Sequence, residues 1–132
     1  YEIDMVVNLA LVGSNNWEAV TSEVATVRSA ISDDVILKVI IESALWSDQQ
    51  IASVCTAVVL GGADFVKTST GFHKLGGASL AAVRLMRNTV GDSIGVKASG
   101  GIRTYADAIA MIEAGANRIG ASASRVILAE AQ

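Results

Sequence analysis

The sequence predicts an α/β fold in which parallel βα repeats build a partial (βα)8 TIM barrel, about five of its eight units. Short β-branched runs alternate with longer amphipathic segments along all 132 residues, as strands and helices alternate around a parallel sheet. The runs are almost continuously apolar, which is typical of strands covered on both faces. Serial βα units form either an open doubly wound sheet or a closed barrel, and a complete barrel usually has about 250 residues.

Five strands are predicted, each followed by a helix. The strands comprise residues 2–8, 36–42, 64–69, 94–99 and 117–121. The first helix covers residues 17–31, because Val20, Val24, Val27 and Ile31 recur at intervals of three and four and form one apolar stripe. We expect this stripe to pack on the sheet.

Capping signals locate the starts of two of the other four helices. Ser47 and Gln50 have the spacing of a capping box, in which each side chain accepts a hydrogen bond from the other residue's backbone N–H. Thr104 is a favourable N-cap, and Asp107 in the first turn is stabilised by the helix dipole. The predicted spans are residues 47–61, 78–90 and 104–115, with a fifth helix from residue 122 onward.

The composition is that of one domain, residues 1–132. Hydrophobic residues make up 52% of the chain and charged residues only 17%, so the chain can form a core and is not disordered. Its longest dense apolar stretch, residues 35–41, is far shorter than the ~20 residues that cross a bilayer. A net charge of −3 without a basic run argues against nucleic acid as the main partner. Because Cys55 is the only cysteine and cannot form an intrachain disulfide, we expect a cytoplasmic location.

Two lysines lie inside neighbouring predicted strands. Lys67 and Lys97 are one βα repeat apart in sequence. Because side chains alternate along a strand, each lysine projects to a single face of the sheet. Lysine is almost never fully buried without a partner. A Schiff base would explain the pair, because an amine attacks a carbonyl only when it is neutral, and a second positive charge together with desolvation disfavours the charged form. Lys67 would be the nucleophile and Lys97 the group that perturbs it.

A carboxylate and three glycine-bearing turns complete the candidate site. Asp4 lies in the first strand, where it could move protons between reaction intermediates, or serve only as a hydrogen-bonded carboxylate at a strand end. Barrels commonly bind phosphate through backbone N–H groups in the loops after their last two strands. The turns after the third, fourth and fifth predicted strands comprise residues 69–71, 99–101 and 120–122.

Three segments carry a resemblance to the 2-deoxyribose-5-phosphate aldolase family. They are residues 64–72 (DFVKTSTGF), residues 95–104 (GVKASGGIRT) and residues 2–8 (EIDMVVN), and the resemblance extends along the whole chain. It implies a class I aldolase on a (βα)8 barrel that cleaves 2-deoxy-D-ribose 5-phosphate to D-glyceraldehyde 3-phosphate and acetaldehyde. It also implies that no metal and no cofactor take part.

The resemblance assigns a role to each candidate residue. It makes Lys67 the Schiff-base lysine, Lys97 the lysine that tunes it and Asp4 the proton-relay carboxylate, in agreement with the roles inferred from the residues. It implies that the phosphate site is lined by Gly71, Gly100, Gly101, Gly120 and Ser122. Arg103 either meets the phosphate or points outward from the first turn of its helix.

The sequence departs from the family pattern in four respects. Ala123 stands where the family usually has a second serine, so one phosphate hydrogen bond is expected to be absent. Residues 10–13 alter the loop beside Asp4, and residues 73–75 resemble an insertion near the active site. The match begins at what corresponds to the fourth strand, so the first three βα units of the family's barrel are not present.

Alternatives of a different class remain open at this stage. The two lysines would be structural if both extended to solvent from strand ends. The chain would then be a catalytically inactive βα module that retains the signature residues through descent. A half barrel also leaves two open strand edges, so we expect a homo-oligomer, most simply a two-fold dimer that completes or rearranges the barrel. Turnover of a phosphorylated deoxysugar would distinguish the enzyme from the module.

Overall fold

Five parallel strands form one sheet in the order in which they occur along the chain. The computed structural model describes residues 1–132, and every pair of adjacent strands is parallel. The strands are β1 (Glu2–Val6), β2 (Ile36–Ile40), β3 (Phe65–Lys67), β4 (Gly95–Ser99) and β5 (Arg118–Gly120), in the order β1-β2-β3-β4-β5. The predicted parallel βα repeats are therefore confirmed, and β1 and β5 are edge strands with one partner each.

Helices connect the strands. They are α1 (Leu9–Gly13), α2 (Trp17–Ser29), α3 (Asp48–Leu60), α4 (Leu80–Val90), α5 (Tyr105–Glu113) and α6 (Ser124–Glu130), and a short 3-10 turn covers Ser43–Leu45. The predicted capping box of Ser47 and Gln50 is present at the start of α3. Thr104 is the N-cap of α5, as predicted, and its reciprocal hydrogen bonds with Asp107 form a second capping box, which was not predicted. No helix in the structure combines the length and the apolar character that a membrane span requires.

The observed elements differ from the predicted ones at several ends. The short helix α1 was not predicted, because the sequence pattern places Asn8 at the end of the first strand. Its side-chain oxygen instead accepts hydrogen bonds from the backbone N–H groups of Ala10 and Leu11, which starts a helix. Strand β3 ends at Lys67 rather than at residue 69, since the Thr68 hydroxyl replaces a backbone group as the partner of the Ser99 N–H, at 3.0 Å.

The two faces of the sheet have opposite chemistry. The helix-covered face is apolar and fully buried, and its side chains include Leu37, Val39, Val66, Val96 and Ala98, each 0% exposed. They belong to a continuous core of 25 buried residues. Because side chains alternate along a strand, the residues between them in sequence point to the other face. We call this other face the inner face.

The sheet is strongly curved around its inner face. Adjacent strands lie about 4.8 Å apart, so in a flat sheet β1 and β5 would be separated by about 19 Å. However, Arg118 Nη1 on β5 lies 2.5 Å from Glu2 Oε1 on β1. The sheet therefore bends as the wall of a barrel does, and the inner face is its concave side.

Candidate active site

Lys67 and Lys97 lie side by side on the inner face. The two residues are register partners across β3 and β4, so their side chains project to the same side of the sheet. Both line one cavity at the carboxyl ends of the strands. The structure thus brings the two predicted lysines together, as the sequence spacing indicated.

Asp4 binds Lys67 directly. Its Oδ2 atom lies 2.9 Å from Lys67 Nζ, although 62 residues separate them in sequence. Burial alone would raise the pKa of the Asp4 carboxyl, but hydrogen bonds from Lys38 and Lys67 outweigh this effect, and the pKa is lowered. Asp4 is therefore ionised at neutral pH and is placed to exchange a proton with the Lys67 amine.

Lys38 is a site residue that the sequence analysis missed. Only 2% of this residue is exposed, and its Nζ atom lies 2.9 Å from Asp4 Oδ1 and 3.0 Å from Glu2 Oε2. Burial lowers the pKa of the Lys38 amine, but the hydrogen bonds to Asp4 and Glu2 raise it further, and the net pKa is raised. Lys38 is thus a fixed positive charge. A lysine inside an otherwise apolar buried strand was the signal that could have identified it.

The charged residues of the inner face form one alternating chain. Lys67, Asp4, Lys38, Glu2 and Arg118 are linked by four successive ion pairs. Each carboxylate lies between two cations, and the buried ammonium of Lys38 lies between both carboxylates. The chain crosses the concave face from β3 to β1 and on to β5.

Lys97 is the exception to this pairing. It forms no ion pair in the structure, whereas Lys38, Lys67 and Arg118 each do. Burial lowers the pKa of the Lys97 amine, and the positive charges of Lys38 and Lys67 lower it further, against a weaker opposing effect of Asp4. From the sequence, Lys97 is expected to perturb the amine of Lys67. In the structure, the amine whose pKa is lowered is that of Lys97 itself. The inner face therefore carries one amine that has a lowered pKa and no ion-pair partner, beside the lysine that Asp4 binds.

The cavity has a volume of about 410 Å³ and is lined by loops that follow β3, β4 and β5. The two lysines lie at its base, and all five residues predicted for phosphate binding line it, namely Gly71, Gly100, Gly101, Gly120 and Ser122. Arg103 also lines the cavity, which is one of the two positions that the sequence left open for it. A cavity of this size accommodates a small phosphorylated metabolite.

Several backbone N–H groups that border the cavity have no hydrogen-bond partner within the chain. They belong to Gly71, Gly100, Gly101, Ile102, Ala121 and Ser122. Gly100 and Gly101 have positive φ angles of +87° and +81°, which glycine adopts without steric cost. Successive N–H groups in such turns form concave anion-binding sites. The rim of the cavity is therefore suited to a phosphate group.

Gly120 allows the close packing of the reactive side chains. A Cβ atom at this position would lie 3.1 Å from the Ser99 side chain and 3.2 Å from Lys97 Cε. Both contacts are tighter than ordinary van der Waals contact. The missing side chain of Gly120 thus lets Lys97 and Ser99 lie directly against β5.

The single cysteine of the chain plays no part in the cavity. Cys55 is fully buried in the core, and burial raises the pKa of its thiol to about 12. No group of three or more His, Cys, Asp or Glu side chains is arranged to hold a metal ion. The candidate chemistry is that of the lysines and Asp4.

The fold and the site together define a class: a partial βα barrel that presents a lysine pair beside an anion-binding rim. A family model described as DeoC/LacD family aldolase matches residues 1–130. The chain belongs to this aldolase family, which confirms the resemblance found in the sequence.

Relatives of this family match nearly the whole chain. Deoxyribose-phosphate aldolases from Kocuria rhizophila and Corynebacterium diphtheriae are 58% and 54% identical over 96% and 98% of it. The solved structure of deoxyribose phosphate aldolase from Aeropyrum pernix, described as tetrameric, covers 97% of the chain with a TM-score of 0.85 at 38% identity.

The chain is shorter than these proteins. It spans 58% and 59% of the two relatives and 53% of the solved structure. Because the structural neighbours are TIM-barrel aldolases of which the chain covers about half, the predicted partial barrel is confirmed.

Proposed function

We propose that this protein is a class I aldolase that reversibly cleaves 2-deoxy-D-ribose 5-phosphate to D-glyceraldehyde 3-phosphate and acetaldehyde. The observation that carries the proposal is the shared cavity, which joins Lys67 and Lys97 to a rim of unpaired backbone N–H groups. The first feature suits imine formation and the second suits a phosphate. The relatives that are more than 50% identical are deoxyribose-phosphate aldolases, which supports the choice of substrate.

Lys67 is the nucleophile in this mechanism. Its neutral Nζ attacks the aldehyde carbon of the open-chain sugar, and the resulting carbinolamine loses water to form an iminium ion. The bond between carbons 2 and 3 of the sugar then breaks as the hydroxyl on carbon 3 loses its proton. D-glyceraldehyde 3-phosphate leaves, and the two-carbon fragment of the sugar remains bound to Lys67 as an enamine. Protonation at carbon 2 and hydrolysis release acetaldehyde and restore the amine.

Asp4 and Lys97 accept and donate protons during the reaction. Lys67 must lose a proton before it attacks, and two adjacent amines give up one proton more readily than separate amines do. Lys97, whose pKa is lowered, accepts that proton. Asp4, hydrogen-bonded to Lys67 Nζ at 2.9 Å, transfers protons to and from the carbinolamine and the enamine.

The phosphate occupies the rim of the cavity. Gly71, Gly100 and Gly101 offer N–H groups from two loops, and Gly120 and Ser122 border the same space from a third. The positively charged side chain of Arg103 is close enough to this rim to add attraction for a dianion. The substrate is thereby oriented with its aldehyde toward the lysines.

The test is turnover by the purified 132-residue chain. We expect release of acetaldehyde from 2-deoxyribose 5-phosphate, with activity lost in Lys67→Ala and retained in Lys74→Ala, an exposed lysine of the neighbouring loop that does not line the cavity. Absence of turnover by the unsubstituted chain would support the alternative function, an inactive module.

We further propose that the chain self-associates, most simply as a two-fold dimer. The edge strand β1 has no second partner and exposes Ile3 and Val6, and α6 beside β5 exposes Val126 and Leu128. Unpaired edges with apolar side chains favour association. A compact monomer in light scattering at micromolar concentration would contradict this proposal. We expect the assembly in the cytoplasm, where the lone Cys55 thiol remains reduced.

A further inference from the structure

Glu42 combines a strained backbone with a buried carboxylate. It lies two residues after the end of β2, its φ angle is +52°, and only 5% of the residue is exposed. One other non-glycine residue has a positive φ, Asn15, and asparagine tolerates this region far better than glutamate does. Strain of this kind persists where the surrounding structure requires it, often beside a functional site.

The carboxylate of Glu42 holds the loop that follows β3. The Thr70 backbone N–H donates to Glu42 Oε1 at 2.5 Å, and the Thr70 hydroxyl donates to Glu42 Oε2 at 3.3 Å. The same hydroxyl accepts a hydrogen bond from the Phe72 N–H at 3.2 Å. Both neighbours of Gly71 are therefore fixed, one directly and one through Thr70.

This loop forms one wall of the cavity. Thr70, Gly71 and Phe72 all line it, whereas Glu42 does not. The Gly71 N–H has no partner within the chain. A backbone N–H contributes most to anion binding when its orientation is fixed beforehand, since binding then costs little ordering entropy.

We propose that Glu42 is a positioning residue for phosphate recognition, which holds residues 70–72 so that the Gly71 N–H is presented to the phosphate. This inference rests on the proposed function, because it assumes that the rim of the cavity receives the phosphate of the substrate. Glu42 acts through Thr70 and makes no contact with the ligand. Its strained conformation directs the side chain from the end of β2 across to the loop after β3.

Two substitutions separate the carboxylate from the backbone strain. Glu42→Gly removes both hydrogen bonds but accepts a positive φ without steric cost, so the fold is retained. Glu42→Gln removes the charge and keeps an acceptor oxygen for the Thr70 N–H, but it replaces the oxygen that accepts from the Thr70 hydroxyl by an NH2 donor. We expect Glu42→Gly to weaken binding of inorganic phosphate about tenfold, and Glu42→Gln to weaken it about threefold, in line with the strength of hydrogen bonds to charged groups.

Two measurements make the test specific. Titration with inorganic phosphate, followed by NMR, reports the rim, and borohydride trapping with acetaldehyde, which has no phosphate, reports Lys67. We expect both variants to trap acetaldehyde as the unsubstituted chain does and to show raised KM with little change in kcat. Phosphate binding by Glu42→Gly equal to that of the unsubstituted chain would overturn the inference.

The remaining outcomes separate this inference from the proposed function. If the unsubstituted chain binds phosphate but traps no acetaldehyde, the aldolase proposal fails, and the role of Glu42 is decided by the phosphate titration alone. If the unsubstituted chain binds no phosphate, the phosphate site and the role of Glu42 are both overturned. Equal loss of trapping and of phosphate binding in Glu42→Gly would indicate a general structural role and would also overturn the inference.

Discussion

The two faces of the sheet show how one set of strands serves stability and chemistry at once. On the helix-covered face Val66 is fully buried among apolar side chains, whereas its neighbour Lys67 points to the inner face and pairs with Asp4. The same contrast separates Val96 from Lys97. Because side chains alternate, each strand supplies the core with every second residue and the site with the others. Substitutions on the two faces should therefore have different effects.

A charged substitution on the helix-covered face should have the largest effect on stability. Val66 is 0% exposed, and Val66→Asp would bury a carboxylate without a partner. We expect the free energy of unfolding to fall by more than about 4 kcal/mol, enough to prevent folding of a typical domain. Circular dichroism and urea denaturation would measure the loss.

The matched control places the same charge on an exposed residue. Leu75, in the loop after β3, is 68% exposed and does not line the cavity, and Leu75→Asp should change stability by no more than about 0.5 kcal/mol. Equal effects of the two substitutions would contradict the assignment of the faces.

Removal of the unpaired amine should affect activity more than stability. Lys97→Leu removes the amine that we propose accepts the proton of Lys67, and we expect kcat/KM to fall about a hundredfold, which is typical of lost acid–base catalysis. The acid limb of the pH–rate profile should move to higher pH, because Lys67 then has no neighbouring amine that favours loss of its proton. A pH–rate profile that does not move would contradict this role.

Acid should weaken the fold through the ion-pair chain. The pKa of Asp4 in the folded protein is lowered from its ordinary value of 3.8, so Asp4 contributes stability above about pH 4. This contribution is lost as the pH falls through the lowered pKa, because the folded protein must then take up a proton that the unfolded chain already carries. We expect Asp4→Asn to show a smaller loss of melting temperature between pH 7 and pH 3 than the unsubstituted chain.

The comparison for this prediction is Asp33, an exposed carboxylate that forms no ion pair. Asp33→Asn should leave the pH dependence of the melting temperature unchanged. The same acid sensitivity in Asp4→Asn and in the unsubstituted chain would contradict the contribution of Asp4 to the loss of stability in acid.

Adding a methyl group beside Lys97 should have the smallest effect on stability and activity. Gly120→Ala would place a Cβ atom 3.1 Å from Ser99 and 3.2 Å from Lys97 Cε, so these side chains must shift. We expect a stability loss of about 1 kcal/mol, the low end for overpacking, and a severalfold decrease in kcat/KM. Gly13→Ala is the control, since its nearest neighbour, the Trp46 ring, is 3.7 Å away, in ordinary contact. A Gly120→Ala variant with unchanged kinetics would show that this close packing is unimportant for activity.

Local signals in the sequence predicted the framework of the fold. The spacing of Ser47 and Gln50 located the start of α3, because a capping box depends on residues three positions apart. Thr104 located the start of α5, because threonine is a favourable N-cap. The repeat distance between Lys67 and Lys97 placed them on adjacent strands, because each βα unit advances the chain by one strand. Ends of elements were less accurate, as the unpredicted helix α1 shows.

Long-range pairing could not be predicted in the same way. Lys38 meets Asp4 and Glu2 across 34 and 36 residues, and Glu42 meets Thr70 across 28. These contacts depend on strand register, which a single sequence specifies weakly. The sequence therefore indicated that an amine pair exists, but not that one amine would be held by Asp4 and the other left without a carboxylate.

The most direct test of the account is to identify the amine that forms the imine. Incubation of the chain with acetaldehyde and borohydride, followed by peptide mass spectrometry, should give a reduced adduct on Lys67, and Lys67→Ala should show none on Lys97 or Lys38. An adduct on Lys97 in the unsubstituted chain, or labelling that persists unchanged in Lys67→Ala, would contradict the assignment of Lys67 as the nucleophile.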